Sequence, residues 1–481
     1  MADPLKILFI SAEVSPFAKA GGLGDVAGSL PKALHKLGHD VRVVMPAYQK
    51  IEQGYPGVET MPGPLWVPLR GEAVQAGVFH STLPNSQVPI YFIAQWNLFN
   101  RPNIYGYGDD SYRFAFFSRA ALELTLALDW KPDIIHAHDW HTAPALTWLS
   151  TAGQADERFR GISSIFTIHN LAHQGHTSWD IFDYLRLQTH SLNEEPYGMV
   201  NFMARGIYHA TLVNTVSPTY AREIMTSDGG AGMDNLLRHR HFDIHGILNG
   251  LDYEEWNPTS DPRLPYHFTV EELDERQKVR QALQDTVGLP RRPNVPLVAL
   301  VTRLDWQKGL DITGHVIHLL MNGFAGEAQF VVLGTGAAEY ENMFRDFANQ
   351  HRDKMSAILA YNANLAPLIY GGSDIFIMPS RFEPCGLGQL IAMHYGSVPV
   401  VRATGGLVDT VQDMYTGFSF DSYNADAFWH ALQRAIFIYN TDKASWGQIQ
   451  RHGMRADFSW NRSALGYQQL YEWAMARTRG W

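Results

Sequence analysis

Short apolar runs rich in β-forming residues alternate with longer stretches of helical periodicity along nearly the whole chain, and the pattern occurs twice. In the first half the runs fall at 6–10, 41–45, 90–93, 133–137, 164–168 and 210–214, with helix-like segments such as 111–128 and 142–150 between them. In the second half they fall at 297–301, 329–333, 356–360, 375–378 and 399–401, and helices are expected at 408–414, 426–439 and 463–477. Strands that alternate with helices make βαβ units and a parallel sheet. The fold class is therefore α/β, with two Rossmann-like, doubly wound domains, a division that 481 residues accommodate. Such sheets bind ligands outside the carboxyl ends of their strands. The polar, proline-bearing segment 257–262 reads as the linker between the halves.

The loop after the first strand is Lys19-Ala20-Gly21-Gly22-Leu23-Gly24, and Val26, Leu30, Leu34 and Leu37 follow it at helical spacing. Adjacent glycines let a ligand approach the backbone, and amides opening a helix favour an anion. With Lys19 beside them they suit a phosphate; the alternative is a tight strand–helix turn that binds nothing. The glycines are spaced one residue too long for a dinucleotide fingerprint, and the next strand ends in Met45-Pro46 rather than an acidic residue.

A net charge of −10 leaves no basic excess for general nucleic-acid binding, so cations for an anionic ligand must be gathered locally. The single cysteine, Cys385, rules out an intrachain disulfide and suits a reducing, cytoplasmic compartment. No apolar run reaches membrane-span length, and the apolar run near the N-terminus is too short for a secretory leader, reading instead as the first core strand.

In the second half, Arg303 and Lys308 follow a strand directly, where a bidentate guanidinium and a compact ammonium can neutralise a diphosphate. Gly334-Thr335-Gly336 and Gly405-Gly406-Leu407 follow two further strands, and Arg381-Phe382-Glu383-Pro384-Cys385-Gly386-Leu387-Gly388 follows another. Glu383 there can bind hydroxyls or steady positive charge on carbon, or simply cap a helix starting near Gly386. Cys385 reads as packing. In the first half, His136-Ala137-His138-Asp139-Trp140-His141 and Thr167-Ile168-His169-Asn170 end two strands. Imidazoles and a carboxylate at strand ends suit sugar hydroxyls; without a completing cysteine or acidic cluster, a metal site is the weaker reading. Asp109-Asp110 reads as a polar loop, and no nucleophile signature is present.

Taken in order, Lys19-Ala-Gly-Gly-Leu, His136-Ala-His-Asp-Trp-His, Arg303 with Lys308, Arg381-Phe-Glu-Pro-Cys-Gly-Leu and Thr404-Gly-Gly-Leu resemble the bacterial glycogen synthases and plant starch synthases. The resemblance implies a GT-B glycosyltransferase with a deep cleft between two domains: 1–253 joined by the C-terminal helix 458–481 on the acceptor side, and 254–457 on the nucleotide-sugar side. It implies transfer of glucose from ADP-glucose to the non-reducing end of an α-1,4-glucan with retention, with no cofactor, no metal, and no nucleic-acid or membrane partner. By position, Lys19 would contact the donor phosphates; Arg303 and Lys308 would hold the diphosphate. Glu383 would lie beside the glucose and His169 near the reacting sugar. Glu13 and Asp139 would line the glucose and acceptor side, Asn249 and Tyr361 would be further cleft positions, and Asn170 would bind substrate. Tyr361 would stack on adenine. Gly21, Gly22, Cys385, Gly386, Leu387, Gly405 and Gly406 would complete the donor pocket. The chain departs from some relatives in having Gly388 where they have threonine, and Ile391 removes the second carboxylate of a related transferase family. The absence of a long extension before Ile7 favours a bacterial-type enzyme. A UDP-glucose enzyme, a transferase with another acceptor, and an inactive glucan-binding relative are the rival readings.

Overall fold

A computed structural model describes residues 4–195 and 198–480; residues 1–3, 196–197 and 481 of the expected domain spans lie outside it. The chain forms two compact units, one of residues 1–250 with 460–481, the other of residues 251–459.

The first unit is built on seven parallel strands: β1 (Lys6–Ile10), β2 (Asp40–Pro46), β3 (Pro89–Ala94), β4 (Ile134–His138), β5 (Ser163–Ile168), β6 (Leu212–Thr215) and β7 (Ile244–Gly246). Their order is β7-β6-β5-β4-β1-β2-β3, and beyond β3 the sheet continues through antiparallel strands at Ala73–Thr82, Leu65–Pro68 and Glu59–Thr60. Strand order reverses between β1 and β4, which makes the loops after these two strands the place for a ligand. The helix α1 (Gly22–Lys36) buries Leu23, Val26, Leu30 and Leu34, one face at helical spacing. The last helix, Trp460–Arg479, buries Ala464, Tyr467, Tyr471 and Ala474 and returns to this sheet, where Ser163 Oγ donates to Ala474 O at 3.2 Å.

The second unit has β8 (Leu297–Val301), β9 (Gln329–Leu333), β10 (Met355–Ile358), β11 (Ile375–Met378), β12 (Val398–Arg402) and β13 (Phe418–Phe420), all parallel, in the order β10-β9-β8-β11-β12-β13. Both faces are covered. Val298, Leu300, Phe330 and Val332 face one core, while Leu297, Ala299, Val331 and Leu333 face the other. This burial on both faces is why the strands read as continuous apolar runs. The reversal falls between β8 and β11.

Several expectations need correcting. Segment 257–262 is not a linker: it folds within the second unit, with Asp261 buried and accepting from Tyr395 Oη (2.6 Å) and Arg263 Nε (2.8 Å). Residues 251–253 and 458–459, assigned by sequence to the first domain, also pack in the second. Leu251 N donates to Phe458 O (2.7 Å), and Phe458 N donates to Tyr253 Oη (2.9 Å). The helix expected at 408–414 is Gly405–Thr410, so both glycines lie in its first turn. Residues 210–211 belong to the turn closing helix Phe202–His209, and β6 starts at Leu212.

Candidate active site

In the first unit, Glu13 follows β1 by three residues and is buried. Its Oε2 accepts from the amides of Ala20 (2.6 Å) and Gly21 (2.9 Å), and its Oε1 from Tyr105 Oη (2.6 Å). Two amides of the glycine loop thus hold the protein's own carboxylate. Lys19 Nζ is paired with Asp25 of α1 at 2.6 Å. Gly21 and Gly22 have non-positive φ, and a Cβ on either would meet nothing within 4 Å. Nothing inside the fold demands glycine there; what the pair provides is open space against backbone.

The ends of β4 and β5 bring Asp139, His138, His169 and Asn170 together. Asp139 takes the left-handed conformation (φ 56°), and its Oδ1 accepts from His169 N at 2.8 Å. Burial pushes its carboxyl up to about 7, against the pull of those backbone donors. His138 Nδ1 lies 2.9 Å from His169 Nε2. Desolvation pushes His169 down to about 3 and holds His138 well below the ordinary histidine value, so both are neutral. His141 stacks on Tyr105 with centroids 4.8 Å apart, linking this cluster to the Glu13 loop. Asn170 Oδ1 accepts from Ala172 N (3.1 Å) and turns the chain. His136, which a metal reading would enlist, spends both ring nitrogens on Tyr471 (2.9 Å) and Thr167 (2.6 Å). Among the described residues no three His, Cys, Asp or Glu side chains gather as metal ligands would. Asn249 stands on the segment beyond the edge strand β7, buried, with Oδ1 lacking a hydrogen-bond partner.

In the second unit, the loops at the strand reversal form a packed cluster. Lys308 Nζ lies 2.8 Å from Glu383 Oε2, which also accepts from Ser380 Oγ at 3.0 Å. Gly406 N donates to the Glu383 carbonyl (3.0 Å). Gly405 has φ 48°, and a Cβ on it would run into that same carbonyl. Cys385 is buried, and Cys385, Gly386 and Leu387 lead into the short helix Gly388–His394. Arg303 is largely exposed (side chain 63%) and only loosely paired with Asp305 at 3.3 Å, leaving its guanidinium available. Tyr361, beyond β10, is 83% exposed. Arg381, quoted in the sequence motif but given no role there, pairs with Asp311 and lies over the rings of Trp306 (5.2 Å) and Tyr423 (4.4 Å), which anchors the Glu383 loop. By contrast, a Cβ on Gly334 would strike the Thr302 carbonyl and one on Gly336 the Leu304 carbonyl, so that glycine pair serves loop packing.

Two doubly wound domains, each with polar loops at its strand reversal, are the architecture of the GT-B class of glycosyltransferases. The sequence matches the family described as starch synthase catalytic domain over residues 6–239 and that of glycosyl transferases group 1 over 285–446. It is 43% identical to a glycogen synthase of Geotalea daltonii, over 98% of this chain and 99% of the relative. It is also 43% identical to one of Moorella thermoacetica, over 100% and 99%. The catalytic domain of starch synthase IV from Arabidopsis thaliana, solved with ADP and acarbose bound, superposes with a TM-score of 0.91 at 35% identity, covering 98% of this chain and 100% of that one. A sucrose-phosphate synthase from Thermosynechococcus elongatus shares the fold, with a TM-score of 0.60 at 17% identity over 98% and 99% of the two chains. The chain belongs to the glycogen and starch synthase family.

Proposed function

We propose that the protein transfers glucose from ADP-glucose to the non-reducing end of an α-1,4-glucan, with retention at the anomeric carbon. The observation that carries this reading is the Lys308–Glu383 pair, held at 2.8 Å at the strand reversal of the second unit, with Arg303 on the same strand-end loop as Lys308. That the related starch synthase binds ADP and acarbose supports a nucleotide diphosphate and an α-glucan as ligands.

In this reading Arg303 and Lys308 meet the diphosphate, Gly405 and Gly406 offer backbone to it, and Tyr361 stacks on the base. By the resemblance, Lys19, Gly21 and Gly22 are assigned to the donor phosphates. Glu383 lies beside the glucose, and Glu13, Asp139, His169, Asn170 and Asn249 line the sugar side, with Cys385, Gly386 and Leu387 shaping the pocket. The bond from the anomeric carbon to the diphosphate oxygen breaks as the acceptor hydroxyl adds on the same face. The hydroxyl proton passes to the departing phosphate oxygen, and the two fixed cations offset the charge that grows there. Glu383 supports positive charge on the sugar and forms no covalent bond; its carboxylate is already engaged by Lys308 and Ser380.

The test is the product and its conditions. An α-1,4-specific amylase should release the newly added glucose, and activity should persist in excess chelator. A β-linked product contradicts the same-face transfer, and chelator-sensitive activity restored by magnesium contradicts the assignment of the charge to Arg303 and Lys308.

A further inference from the structure

His138, the last residue of β4, is fully buried between Phe9 and His136, with ring centroids 4.0 and 4.1 Å away. One nitrogen, Nδ1, meets His169 Nε2 at 2.9 Å; the other, Nε2, is sealed from water and has no hydrogen-bond partner. The neighbouring His136 shows that proton positions here follow from hydrogen-bond accounting. Asn214 spends its amide nitrogen on the carbonyls of Thr215 (3.0 Å) and His245 (3.2 Å), so its Oδ1 accepts. Thr167 gives its one hydroxyl proton to that Oδ1 (2.7 Å). The hydroxyl oxygen of Thr167 therefore accepts from His136 Nε2–H, and His136 Nδ1 accepts from the Tyr471 hydroxyl.

The same accounting fixes His138. Each neutral imidazole carries one N–H. A proton on His138 Nε2 would be a donor sealed in apolar surroundings without an acceptor, an arrangement folded proteins avoid more strictly than an unmet lone pair. A proton on Nδ1 makes the bond to His169 Nε2 and leaves only a lone pair unmet. The proton of His169 then resides on Nδ1, which has no partner among the described residues.

We propose that His138 is a positioning residue that locks His169 as its Nδ1–H tautomer, so that His169 presents a hydrogen-bond donor, and not a base, to an oxygen of the sugar. The inference rests on the reading that His169 meets a sugar. The Nε2 lone pair of His169, the only one a neutral imidazole of that tautomer has, is already spent on His138, so His169 accepts no proton during the reaction.

The experiment is a long-range proton–nitrogen correlation spectrum of the full chain labelled with 15N-histidine, recorded without substrate, with His169→Gln and His138→Phe used for assignment. His138 and His169 should both show a protonated Nδ1 and a bare Nε2, unchanged across the range in which histidine ordinarily titrates. In His138→Phe, whose flat ring keeps the packing, His169 should lose its single tautomer and kcat should fall about tenfold with KM little changed. His138→Gln, whose amide N–H can reach His169, should recover part of both. A native spectrum with His169 protonated at Nε2 overturns the inference, whether or not the Phe variant folds. So does a Phe variant that keeps both the tautomer and full turnover. If neither nucleotide sugar reacts while the native spectrum shows the stated tautomers, the transferase reading fails and the tautomer assignment stands.

Discussion

Asp139 carries the chemistry that depends most on its packing. Its ordinary carboxyl value is 3.8, and burial raises it to about 7 in the fold. The unfolded chain therefore releases this proton near pH 4 while the native protein keeps it until about pH 7. In that window the native state binds more protons than the unfolded one, so this group's contribution to stability falls as pH rises, and the loss is complete above about 7. At three units the cost reaches on the order of 4 kcal/mol. Asparagine tolerates the left-handed backbone and its oxygen can still accept from His169 N. Asp139→Asn should therefore melt higher than the parent at pH 8, with the gap closing toward pH 4; equal melting temperatures at both pH values would contradict the raised carboxyl. Lys308 needs a different design. Removing it alone strands the buried Glu383 carboxylate and confounds stability with catalysis. The cycle of Lys308→Met, Glu383→Gln and the double variant separates the two. If Lys308 stabilises the leaving phosphate, the double variant should regain stability relative to Lys308→Met yet remain about a hundredfold or more below the parent in turnover, as Arg303→Ala should too. Near-normal kcat with a raised donor KM would mark either cation as an anchor of ground and transition states alike.

At the scale of elements, the glycine pairs that open two helices, Gly21-Gly22 and Gly405-Gly406, do opposite things. Gly405 sits at φ 48°, and a Cβ there would collide with the Glu383 carbonyl; Gly22 opens α1 with nothing near. Gly22→Ala should leave the melting temperature unchanged or slightly raised, since alanine favours a helix by about 1 kcal/mol over glycine, while weakening donor binding. Gly405→Ala should lower both stability and activity. A Gly22 variant with normal kinetics would remove the reason for a ligand against that loop. The same contrast explains what sequence could and could not reveal. Parallel strands were legible because burial on both faces makes them continuous apolar runs, and α1 because Val26, Leu30 and Leu34 share one face. The antiparallel strand Ala73–Thr82 was not, since it is largely exposed and interrupted by Gly77. Segment 257–262 was misread because its polar residues look solvated, whereas Asp261 is a buried anchor for Tyr395, 134 residues away. Strand-end motifs pointed to Asp139, Lys308 and Glu383, and the family resemblance to Glu13, but not to how they pair. Tyr105 reaches Glu13 from 92 residues away, and no local pattern marks it. The glycine loop reads from sequence as suited to a phosphate, and nothing in its own residues says that Glu13 turns back into it.

Across the whole molecule, neither the net charge nor any single loop identifies the chemistry. Within a chain of net charge −10, two cations stand at one strand reversal of the second unit, Arg303 exposed and Lys308 within 2.8 Å of Glu383. The first unit in turn depends on the end of the chain, since the helix Trp460–Arg479 supplies the hydroxyl of Tyr471 to His136. Tyr471→Phe leaves His136 Nδ1 unpaired in the core and should destabilise the protein by about 1–3 kcal/mol, read as a lowered midpoint in urea; an unchanged midpoint would contradict the buried relay. The central claim is glucosyl transfer from ADP-glucose to a glucan. Its most direct test is to incubate the purified protein with labelled ADP-glucose or UDP-glucose, each with and without glycogen, and to count the label in polymer. Incorporation that requires glycogen and is much faster from ADP-glucose is the predicted result; equal or faster incorporation from UDP-glucose, or none from either, would contradict it.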